Sequence, residues 1–110
     1  MAGQTNYLEV EPSRSEIDAG TDSLVVEFGA PWCTHCQAAQ SLIVAALAKH
    51  PGVRRIKVED GKGRPLGRSF GVKLWPTLIF LRQGKEVSRL VRPGDASAIE
   101  QALAQIDTPS

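Results

Sequence analysis

Apolar and polar positions along this chain fall into two periods, and the switches between them mark out the elements. Residues 7–10, Tyr-Leu-Glu-Val, alternate and predict a short edge strand. Ser13 and Glu16 form the Ser-x-x-Glu pattern that opens a short helix, and Gly20 ends it. Residues 24–28 are apolar except at Glu27, which suits a central strand covered on both faces. Gly29, Ala30 and Pro31 break that strand. From Thr34 to about Lys49 the spacing is helical: Ala39, Leu42, Ile43, Ala46 and Leu47 make one stripe, and Pro51-Gly52 stops it. Residues 53–59 predict a second strand with Ile56 and Val58 on one face. The basic stretch 61–64 is a solvated connection, and residues 65–70 form a short helix with Pro65 in its first turn. Residues 77–81 and 86–91 predict a hairpin around Gln83-Gly84. After Pro93-Gly94, Asp95 caps a final helix that turns Ile99, Leu103 and Ile106 toward the core.

The order β-α-β-α-β-α-β-β-α predicts an α/β protein: a mixed five-stranded central sheet flanked by four helices. A chain of 110 residues fits one domain, with residues 1–110 forming it and about 5–106 its ordered core. Apolar residues are 42% and charged residues 23%, an ordinary globular balance. A formal net charge of +1 gives no reason to expect nucleic acid or an anionic membrane as partner. No apolar run approaches the ~18 residues of a membrane span. The polar start, residues 1–6, lacks the basic and apolar regions of an export signal, so a reducing cytoplasm is the expected location.

Chemistry concentrates at Trp32-Cys33-Thr34-His35-Cys36, which holds both cysteines of the chain. Only a thiolate attacks a disulfide, and a helix start favours the thiolate through its unpaired N–H groups and dipole. Cys33 stands at the strand-to-helix junction, and Cys36 follows one turn later on the same side. The pair therefore predicts an attacking thiol, Cys33, and a resolving thiol, Cys36. His35, between them, is placed to favour the Cys33 thiolate and make the pair more oxidising. Zinc is a poor alternative, because only His35 and His50 are available to complete a four-ligand set. A purely structural disulfide would close too short a loop to constrain the unfolded chain. No cofactor is expected beyond the redox-active pair itself.

Three segments, in order, resemble the thioredoxin family over roughly residues 5–106. Residues 25–33, Val-Val-Glu-Phe-Gly-Ala-Pro-Trp-Cys, are similar to its strand leading to the active site. Residues 71–78, Gly-Val-Lys-Leu-Trp-Pro-Thr-Leu, are similar to its cis-proline segment, and Gln83-Gly84-Lys85 sits at its hairpin turn. The resemblance implies the thioredoxin fold and thiol–disulfide oxidoreductase activity. It also implies a monomer that acts on protein disulfides, with electrons from a thioredoxin reductase-type or other thiol donor. Disulfide isomerase-like, redox-sensing and non-catalytic binding roles are the alternatives.

The same resemblance implies a cis peptide before Pro76, with the backbone of Trp75 open to a substrate strand. Glu27 matches a buried family acid and would serve Cys36 as general base, its burial disfavouring the charged form. The other reading of Glu27 is a salt bridge, with Arg55 as partner. Trp32 is expected to cover the cysteines. Trp75 replaces a smaller aliphatic residue, so it either narrows the substrate groove or packs on Trp32. Arg92 stands where the family commonly has glycine, where it either draws acidic partners or is simply solvated. Thr34-His35 departs from the family's usual Gly-Pro and is closer to disulfide isomerases and oxidases.

Overall fold

The structure, a computed structural model, describes residues 6–107. Its elements run α1 (Arg14–Asp18), β1 (Ser23–Gly29), α2 (Thr34–Ala48), β2 (Arg54–Glu59), α3 (Pro65–Ser69), β3 (Thr77–Arg82), β4 (Lys85–Val91) and α4 (Ala96–Ile106). The strands form one sheet in the order β2-β1-β3-β4. β1 pairs parallel with β2 and antiparallel with β3, and β3 pairs antiparallel with β4.

This sheet has four strands among the described residues, not the expected five. Residues 7–10 contribute a single parallel bridge, Tyr7 to Lys57, and one hydrogen bond, Leu8 N–H to Lys57 O at 2.9 Å. The reason is burial. Tyr7 and Leu8 are half-buried, but Glu9 and Val10 stand in solvent and Pro12 follows with no N–H to donate. An alternating pattern with nothing to cover its second pair of residues does not extend a ladder.

The other elements form for the reasons their residues suggest. Ser13 and Glu16 complete the reciprocal capping box of α1. α2 turns Cys36, Ala39, Ile43, Ala46 and Leu47 inward, and α4 buries Ile99, Ala102, Leu103 and Ile106 after an Asp95 cap. The β3–β4 hairpin closes on Gln83 and Gly84, with φ of 53° and 79°. Two successive left-handed residues are the turn that matches strand twist.

β1 lies at the centre, every residue buried. Its two faces carry separate cores. Val25 joins α2, α4, Leu78 and Phe80 on one side. Val26 and Phe28 join α1, α3, Ile56, Val58, Ile79 and Leu81 on the other. Each large apolar side chain so buried stabilises the fold by about 1.5–3 kcal/mol. The sheet thus holds the C-terminal end of β1 rigidly, and the next residues lead into the mouth of α2.

Candidate active site

Cys33 is the N-cap of α2, in extended conformation (φ −80°, ψ 117°). Its Sγ accepts the N–H of Cys36 at 3.2 Å, and its own N–H donates to Ala30 O at 3.1 Å. The sulfur thus fills the capping role that an oxygen usually takes, against the positive end of a 15-residue helix. Both cysteines are free thiols and both are buried, Cys33 at 8% exposure and Cys36 at 1%. Burial and the hydrogen bond with the Cys33 sulfur push the Cys36 thiol up to about 12. The pair is therefore asymmetric: one sulfur sits at the helix mouth, and the other is a protonated thiol behind it.

The Trp75–Pro76 peptide is cis. The Trp75 indole packs with Ala30, Cys33 and Cys36, and its Nε1 donates to Asp60 Oδ2 at 2.8 Å. Trp32 is 68% exposed and meets Trp75 edge-on, with ring centroids 5.4 Å apart. Trp75 packs against the cysteines with its ring held inward by Asp60, and Trp32 stands against it at the rim of the same groove as Cys33. The Trp75 carbonyl is engaged as well. Arg92 donates to it through Nε at 2.8 Å, and Arg92 N–H donates to Pro76 O at 2.9 Å. His35 is exposed in the first turn of α2. It lines the groove of about 370 Å³ beside Cys33, shared with Trp32, Lys73, Leu74, Trp75 and Arg92.

Behind Cys36 the sheet face is polar. Glu27 is fully buried, and Arg55 pairs with its Oε1, donating from both Nε (3.0 Å) and Nη2. The salt bridge with Arg55 is thus the arrangement the fold adopts. Gln40 is the hub: its Nε2 donates to Glu27 Oε2 at 2.7 Å and to Cys36 O at 2.9 Å. Its Oε1 accepts from Arg55 Nη2 at 2.6 Å and from Lys57 Nζ at 3.2 Å. Lys57 Nζ also stands 4.5 Å from the centre of the Tyr7 ring. Burial lowers the Lys57 ammonium, Glu27 attraction opposes that, and Arg55 adds to it. The Tyr7 hydroxyl lies beside the Cys36 sulfur, and burial, with Cys36 and Glu27 nearby, raises its proton affinity. Room for this contact exists because residue 29 is glycine: a Cβ there would lie 2.5 Å from Cys36 Sγ and 3.1 Å from the Tyr7 hydroxyl. A cavity of about 370 Å³ opens onto Tyr7, Cys36, Gln40 and Lys57.

Tyr7, Gln40, Lys57 and Asp60 were not among the expected site residues. Lys57 alternates with Ile56 and Val58 and so reads as the solvent side of its strand, yet it is buried. His50, at the far end of α2, meets Asp107 at 2.7 Å and takes no part in the site.

A buried dithiol at the mouth of a helix, packed against the tryptophan that precedes a cis-proline, defines a thiol–disulfide exchange site. Comparison with known proteins agrees. The thioredoxin family model matches residues 5–105. The structure superposes on reduced thioredoxin 2 from Pseudomonas aeruginosa PAO1 with a TM-score of 0.84 and 52% identity, covering 94% of this chain and 95% of that one. A thioredoxin from Chlamydia muridarum is 34% identical over 83 residues, 74% of this chain and 80% of its own length. Protein disulfide-isomerase A2 from Pongo abelii is 38% identical over 94 residues, 80% of this chain but 18% of that much longer protein. The chain belongs to the thioredoxin family of thiol–disulfide oxidoreductases. Among the described residues no helix is long and apolar enough to cross a membrane.

Proposed function

We propose that this protein reduces protein disulfides through Cys33 and Cys36. The observation that carries the reading is the Cys33 sulfur capping α2 with Cys36 one turn behind it. The Cys33 thiolate attacks one sulfur of the substrate disulfide, and the other leaves as a thiolate. The Cys36 thiol gives up its proton and attacks the Cys33 sulfur. That closes the Cys33–Cys36 disulfide and releases the second substrate thiolate. Two electrons pass from the pair to the substrate, and the two substrate thiolates take up protons.

Cys36 is held as a protonated thiol, so its attack needs a proton acceptor. Glu27, paired with Arg55 and tied through Gln40 to the Cys36 backbone carbonyl, takes that role, with water in the cavity beside Tyr7, Cys36 and Lys57 carrying the proton from the thiol to its carboxylate. His35 tunes the potential from the first turn of α2. Trp32, Trp75 and Arg92 form the surface on which the substrate strand lies, and the buried Pro76, through its cis bond, sets the turn of the chain behind it. The oxidised pair is returned to dithiol by a thioredoxin reductase-type or other thiol donor. A reducing cytoplasm is the compartment in which that cycle runs.

Cys36→Ser should accumulate mixed disulfides through Cys33, and Cys33→Ser should abolish exchange. Non-reducing gels of each variant after incubation with a disulfide-bonded protein such as insulin check both. Equal trapping, or equal loss, in the two variants would reverse the assignment.

A further inference from the structure

We propose that Arg92 gates the groove beside Cys33, and that an acidic side chain on the incoming disulfide segment opens it. This deepens the oxidoreductase reading above and depends on it. Arg92 has φ of 49°, in the left-handed region that favours glycine. An arginine kept there against backbone preference points to a role for its side chain. That side chain closes on the Trp75 carbonyl at 2.8 Å. The carbonyl beside the cis-proline is the acceptor that an added strand would use, and in this structure the Arg92 guanidinium, itself lining the groove, occupies one of its two acceptor positions.

The surroundings say what would release it. Lys73, His35 and Arg92 border the groove, and none of the residues described as lining it is acidic. Trp32 and Leu74 offer exposed apolar walls beside the Lys73 and Arg92 cations. A carbonyl is a neutral acceptor, whereas a carboxylate takes a guanidinium through two charge-assisted hydrogen bonds. A Glu or Asp next to the substrate cysteine therefore draws Arg92 off Trp75 and frees the carbonyl for a backbone N–H of the substrate. A neutral segment finds the clasp shut, and a basic one meets like charge as well. The preferred partner is a protein whose disulfide is flanked by carboxylates.

The test uses disulfide-linked peptides identical except for Glu, Gln or Lys beside the cysteine. The readout is the second-order rate at which each oxidises the pre-reduced protein. Wild type should react with the Glu peptide about tenfold faster than with the Gln peptide, and slowest with Lys. The preference should shrink as salt is raised. Arg92→Gly should bring the Glu-to-Gln ratio close to one and react with the Gln peptide faster than wild type does. Arg92→Lys, with charge but no planar fork, should fall between. Glycine suits this backbone, and thermal unfolding checks that Arg92→Gly is folded. A wild-type ratio near one, or an unchanged ratio in Arg92→Gly, overturns the gate. Neutral dithiodipyridine needs no strand pairing and separates the two levels of argument. Wild type inert toward it sinks the oxidoreductase reading, and wild type that reacts with it but ignores peptide charge sinks the gate alone.

Discussion

The two faces of β1 and β2 are built from alternate residues of the same strands, yet one is apolar throughout and the other, apolar at Val25, becomes charged at Glu27, Arg55 and Lys57. Val26, Phe28, Ile56 and Val58 face α1 and α3 in an apolar core. Glu27, Arg55 and Lys57, interleaved with them, are as deeply buried but lie under the N-terminal half of α2. The dry face gains stability from area and packing alone. The charged face has to satisfy each group with a named partner, and Gln40 does most of that work. What the difference teaches is that burial here serves two ends: one set of side chains packs the sheet, and the other keeps an ion-paired, hydrogen-bonded cluster behind a thiol.

The largest break in this comparison is Glu27→Ala. It leaves Arg55 and Lys57 as buried cations without their shared anion, and should cost about 3–5 kcal/mol in guanidinium unfolding. Replacing the ion pair together, Glu27→Leu with Arg55→Met, should recover most of that loss while slowing the release of trapped mixed disulfides. On the dry face, Ile56→Val should cost about 1 kcal/mol and leave the rate of mixed-disulfide resolution as in wild type. If Ile56→Val slows resolution as the paired replacement does, the two faces are not separable in function.

A pH titration sharpens the contrast at intermediate scale. The Cys36 thiol is raised in the folded protein from an ordinary 9.0 to about 12. Below about 9 both folded and unfolded chains keep the proton, and it contributes no pH dependence. Between about 9 and 12 the unfolded chain ionises first, binds fewer protons than the folded one, and stability falls as pH rises. Reduced wild type should therefore lose stability across that window more steeply than Cys36→Ser, measured by denaturant midpoints at each pH. Parallel curves would mean that the sulfur does not feel its burial.

The smallest expected effect is at the exposed rim. His35→Pro removes an imidazole from the first helical turn, where proline is tolerated. Equilibration against glutathione should place the pair about 10–20 mV more reducing. A potential that does not move would leave His35 as a solvated side chain.

Much of this could be read along the chain, because the signals are local. The Cys33–Cys36 spacing, the α2 stripe, the Ser13 and Asp95 caps and the Gln83-Gly84 turn each lie within one element or one turn. The charged face was harder. Arg55 and Lys57 look like the solvent side of an alternating strand, and only the placement of β2 beside β1 under α2 shows them to be interior. Tyr7 and Asp60 come to the site from separate parts of the chain, so no spacing relates them, and Gln40, one turn after Cys36 on α2, finds its other partners only once β1 and β2 lie beneath that helix. Residues 7–10 misled for a related reason: alternation predicts a ladder only if something covers both residues that point inward, and Val10 is 83% exposed.

Asp60 ties the two halves of the site to each other. Its N–H donates to Gly29 O at 2.8 Å, at the strand end that leads to the thiols, while its carboxylate holds the indole of Trp75 in the proline loop. Gly67 leaves it the space, since a Cβ there would strike that carboxylate. One short side chain therefore acts as a spacer that sets the width of the cleft before any partner arrives. A visiting disulfide does not have to bring the two walls into alignment, and that ordering cost is met during folding instead of at each encounter.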